Sequence, residues 1–116
     1  MKKMDILQIY LRDNIEKCKD DVEIFSKKVI TNPVYALSWA DDLFKISALG
    51  AVSEEVLNAL MKDDADIDNI TKYIHRKIMT MSQHPSSSTS VCSNLTHQAE
   101  LAARSRVYEK IVDWKL

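Results

Sequence analysis

The residues best suited to covalent chemistry lie together in His84–Asn94, which reads HPSSSTSVCSN. A thiolate at Cys92 would need a base, and His84 and His97 stand near it in the chain. A helix starting close behind the cysteine would lower its pKa. Serine chemistry would need a base and an orienting acid, and no GxSxG elbow frames any of these serines. The stretch also lacks the glycines that let backbone N–H groups converge on a phosphate. Pro85 stops a helix, and Ser and Thr side chains favour turns through local hydrogen bonds. The stretch therefore reads as a Ser-rich connecting loop over 82–94, with Ser93 or Asn94 capping the helix that follows. That is longer than helix–helix connections usually need. An ordered loop would offer Ser86, Ser88 and Thr89 as partner contacts.

Metal chemistry finds no matching pattern. His75, His84 and His97 form no HExxH motif, no glutamate has a histidine three residues on, and Cys18 and Cys92 belong to no CxxC pair. Asp64, Asp66 and Asp68 alternate like the opening of a calcium loop. The sixth position is Asn69 instead of glycine and the twelfth is His75 instead of glutamate. These carboxylates fit a helix start, with Asp66 as the cap. No metal or cofactor is expected. Basic residues gather as KYIHRK over 72–77 and again near the C-terminus, so Lys72, Arg76, Arg104 and Arg106 are candidate phosphate contacts. The net charge of −1 gives nucleic acid no general attraction. Among aromatic residues, Tyr35 and Trp39, beside Asp42, are candidates for a protein-binding hot spot.

Positioning these residues falls to helices. The chain has 116 residues, 46% apolar and 28% charged, with one glycine and two prolines. Few turns and no sustained two-residue alternation point to an all-α protein of four or five helices. It is expected to form a single domain over 1–116, a bundle or an orthogonal helical domain. Met4, Leu7, Leu11, Ile15, Cys18, Val22, Phe25 and Val29 make one stripe on a long helix from about 5 to 31, capped by Asp5. Glu23–Lys27 has the favourable acid-before-base spacing. Asn32–Pro33 ends that helix and starts the next, which places Leu37, Ala40, Phe44 and Ala48 on one face. Gly50 is read as a break, with Ser53 capping a further helix EEVLNALMK. Ile67, Ile70, Ile74, Ile78 and Met81 mark a helix ending near 81. Leu95, Ala99, Ala103, Val107, Ile111 and Trp114 mark the last, broadened by Leu101, Tyr108 and Val112. The lysine-led N-terminus has Asp5, Arg12 and Asp13 where a signal peptide needs an apolar core. With no run of 18 apolar residues, no membrane span is expected, and the expected location is the cytoplasm.

NPVYALSWADDLFKISA, followed later by PSSSTSVCSNLTHQAELAARSRVYEKI, resembles the small helical accessory proteins of phages and prophages, over most of residues 32–112. No catalytic motif defines that group. The resemblance implies a chain that binds and modulates a host or phage protein. The expectation is a non-enzymatic interaction module with a protein partner, and the stripe of the 5–31 helix offers a route to a homodimer. The alternatives are a nucleic-acid-associated regulator and a small Cys- or Ser-dependent enzyme.

Overall fold

The computed structural model describes residues 3–32, 34, 36–62, 66–83 and 91–113, and of 36–41 and 91–93 the backbone only. The described residues form four helices and no strand: α1 (Lys3–Thr31), α2 (Ala36–Leu60), α3 (Ile67–Gln83) and α4 (Val91–Asp113). Pro33, Tyr35, the 84–90 part of the Ser-rich stretch and Trp114 lie outside the described residues.

α2 sits between α1 and α4, and α3 packs on α4. Cys18 lies against Gly50, and the Asn14 amide donates to the Ser53 hydroxyl at 3.2 Å, so α1 and α2 run antiparallel. His97 meets the Met81 carbonyl at 3.3 Å, and His75 meets Tyr108, so α3 and α4 are antiparallel too. The core draws on all four helices: Leu7 and Leu11, Val52, Val56 and Leu60, Ile70 and Ile74, Ala103, Val107 and Ile111. Burying each of the larger side chains contributes about 1.5–3 kcal/mol. The buried members of α3 and α4 repeat every three or four residues, as their stripes require. Val112, expected on the same face, is 49% exposed.

α1 follows its stripe with two differences. The helix begins at Lys3, so Asp5 lies inside the first turn, where its carboxylate opposes the positive end of the helix dipole instead of capping it. Leu7 and Leu11 are buried, but Ile15, Cys18, Val22, Phe25 and Val29 are only half-buried. Met4, Leu7, Leu11 and Cys18 of the stripe make contacts within the chain. Glu23 and Lys27 pair at 3.2 Å on the exposed side, where such a pair contributes little.

The expected break at Gly50 does not occur. α2 runs through Gly50 for 25 residues, and Gly50 is buried. A Cβ on Gly50 would lie 2.7 Å from Cys18 Cβ, and closer still to its sulfur. The glycine lets two helices touch; it does not end one. Ser53 is correspondingly not a cap: it is fully buried mid-helix and accepts the hydrogen bond from Asn14. The cap at Asp66 is present, its carboxylate accepting from the Asp68 N–H at 3.1 Å.

The connector between α3 and α4 is shorter than expected. α3 continues through Ser82 to Gln83 and α4 begins at Val91. Residues 82–83 and 91–94 are helical, and Ser93 and Asn94 lie inside α4 instead of capping it.

Candidate functional site

Between α2 and α4 lies an open groove of about 520 Å³. Phe44, Ala48, Ala51 and Val52 of α2 give it apolar walls, with Ser47 and Thr96 beside them. Alanines at i, i+3 on α2 keep the wall low, so space remains where larger side chains would close the helix pair. Glu55, Glu100 and Arg104 also line it and supply the charge among its described residues.

Those three charges form a network with Tyr73. Arg104 is 6% exposed, close to Ala103 and Val107 on the buried face of α4. Its Nη2 donates to Glu100 Oε1 at 2.8 Å across one helical turn. Its Nη1 lies 2.6 Å from Glu55 Oε2, an ion pair too far off the N–H direction to count as a hydrogen bond. Nε has no hydrogen-bond partner among the described residues. The Tyr73 hydroxyl donates to the other oxygen of Glu55 at 2.6 Å, tying α3 to α2. Burial opposes the charge on Glu55, but the Tyr73 hydroxyl and Arg104 outweigh it and hold its carboxyl below the usual range. The bond to Glu55 and burial together push the Tyr73 phenol up. Burial also opposes the charge on Arg104, and Glu100 and Glu55 overcome that. Two carboxylates face one guanidinium, so the network carries an excess negative charge.

The sequence-derived candidates separate in space. Asp42 is exposed on α2 and is not among the described lining of the groove. The side chain of Trp39, and Tyr35, Ser86, Ser88 and Thr89, lie outside the described residues. So do His84 and the thiol of Cys92, while His97 meets the Met81 carbonyl. Lys72 and Arg76 are exposed and line a second cleft with Thr71, His75 and Tyr108. Arg106 is exposed and lines a third pocket with Asn14, Lys17, Cys18, Asp21, Ile46 and Leu49. Arg104 is not an exposed base at all: its charge is buried and engaged by Glu55 and Glu100. The four basic candidates therefore do not share one surface.

Glu55 and Tyr73 were not visible as site residues from sequence, because their partners lie on other helices. Arg104 carried a signal: it falls one residue after Ala103 and three before Val107, on the apolar side of its helix, with Glu100 one turn earlier. A cation there must be paired. The described residues hold no group of three or more His, Cys, Asp or Glu able to bind a metal ion. No helix among them is long and apolar enough to cross a membrane. Comparison with family models, with curated proteins and with solved structures finds no match.

Proposed function

We propose that this chain is a non-enzymatic protein-interaction module of the cytoplasm, a single helical bundle whose α2–α4 groove seats an apolar side chain of its partner. The observation that carries this reading is the groove itself: apolar walls, an open mouth, and, among the described residues, charge confined to Glu55, Glu100 and Arg104. Pockets of this kind hold the buried anchor residues that dominate protein–protein affinity. The excess carboxylate in the network favours an anchor flanked by a basic residue, which Glu100, half-exposed, would meet. The resemblance of most of residues 32–112 to phage and prophage accessory proteins adds a preference for a host or phage protein as the partner.

The test is affinity capture with the intact chain against a variant whose groove is filled. Ala51 is exposed and lines the groove, so Ala51→Arg fills it without disturbing the core. A partner retained in stoichiometric amount by the native chain and lost with Ala51→Arg is the expected result. Equal retention by both removes the groove from the interaction.

A further inference from the structure

The second cleft, between α3 and α4, has a different chemistry. It is an open cleft of about 430 Å³, lined by Thr71, Lys72, His75 and Arg76 of α3 and by Tyr108 of α4. That volume is within the span of small-ligand clefts, about 300–1,000 Å³. We propose that it binds single-stranded nucleic acid, with phosphates on Lys72 and Arg76 and one base against the Tyr108 and His75 rings.

Three observations carry this. The first is charge segregation. From Asn69 to Gln83, α3 carries Lys72, Arg76 and Lys77 and no carboxylate, within a chain whose net charge is −1. The nearest acid on the helix is Asp68, one turn before Lys72. An evenly mixed surface, like that of α1, would place acids among these bases. The second is availability. Lys72 and Arg76 are exposed, and no ion pair holds either of them among the described residues. Lys77 is aimed elsewhere, with Nζ 5.7 Å from the Tyr73 ring. The third is the ring pair. Tyr108 is half-buried, and its ring lies 5.5 Å from that of His75 at 40°. The cleft thus has an aromatic wall beside two cations that no ion pair holds among the described residues. Cations that follow a backbone and a ring that takes a base are how proteins hold single strands without reading sequence. A duplex offers its phosphates but no free base face, so the ring would go unused. A phosphopeptide would use the cations and not the ring. This inference is independent of the α2–α4 groove.

The experiment is fluorescence anisotropy of a labelled single-stranded oligothymidylate with the full chain, from low to physiological salt. Two phosphate contacts predict a log–log salt slope of about −1.4. Replacing Lys72 and Arg76 together by alanine is expected to weaken binding about tenfold or more at low salt, since both are surface residues outside the core. Tyr108→Leu should weaken it about tenfold, and Tyr108→Phe, which keeps the ring, should leave it unchanged. The proposal is overturned by an absence of binding at low salt, or by equal affinity for a duplex of the same length or for a phosphopeptide. It is equally overturned if binding survives the Lys72/Arg76 double substitution. Should Tyr108→Leu fail to fold, Tyr108→Phe and the double substitution still decide the matter.

Discussion

Replacing Gly50 by alanine tests the packing that sets α1 against α2. In an ordinary helix interior the change stabilises by about 1 kcal/mol, because alanine loses less backbone freedom on folding. Here the new methyl would start 2.7 Å from Cys18 Cβ. Non-bonded carbons rest about 3.5–4.0 Å apart, so the helices must separate locally by about 1 Å. Both atoms are Cβ atoms fixed to helix backbone, with no flexible end to swing away. Overpacking of this kind costs about 1–3 kcal/mol, and a rigid contact falls in the upper part of that range. The net expectation is a loss of about 1–2 kcal/mol and a fall in Tm of about 4–8 °C per kcal/mol. Urea denaturation followed by circular dichroism measures it. Placing the small residue on the other helix should compensate, so Cys18→Gly combined with Gly50→Ala should show a favourable coupling above about 1 kcal/mol in a double-mutant cycle. A gain in stability from Gly50→Ala alone, or a coupling near zero, would refute the close approach.

Other outcomes follow from the buried polar groups. Glu55→Gln should destabilise by about 2 kcal/mol and Glu100→Gln by less, because Glu55 serves both Arg104 and Tyr73 while Glu100 serves Arg104 alone; thermal melts rank the two, and the reverse order contradicts the network. Ser53→Ala should cost about 1 kcal/mol by leaving the Asn14 amide without its acceptor, and should leave the helical circular dichroism intact; lost helix content would mean that Ser53 is a cap after all. Stability should also depend on pH at both ends. The Glu55 carboxyl is held below its usual value of 4.5 in the fold, so its contribution is present above that pH and is lost as pH falls through the lower folded value. Tyr73 and Cys18 are raised above their usual values of 10.0 and 9.0, Cys18 chiefly by burial, so their contributions are complete below those values and vanish as pH rises through the folded ones. Urea titrations across pH read both limbs, and Glu55→Gln should flatten the acid one.

The helices were legible where a single stripe decided them. α1 and α3 each bury two residues four apart, α4 buries residues three and four apart, and Asp66 caps α3 because its side chain acts within its own turn. Legibility failed where a distant residue decided. Gly50 followed by Ser53-Glu54-Glu55 has the local form of a helix end and a helix start. Only Cys18 and Asn14, on another helix, explain why the helix runs through and buries both residues. The start of α4 was also missed: serine and threonine favour turns locally, but the helix is already formed at Val91. Of the groove, Phe44 and Ala48 were assigned to one face of α2, and they line it together. In the sequence the charges at the groove fall apart, Glu55 into the start of a helix after Ser53 and Arg104 among candidate phosphate contacts. The pair that joins them exists only in three dimensions.

Photocrosslinking tests the central claim, that the α2–α4 groove is the partner's seat, most directly. A benzoylphenylalanine placed at Ser47 lies on the exposed rim of the groove, and one at Arg12 lies on the exposed side of α1. In cells that produce the chain, one discrete protein adduct is expected from Ser47, absent from Arg12 and lost when Ala51→Arg is added. The same adducts from both positions, or none from Ser47 while the chain is folded and abundant, would contradict it.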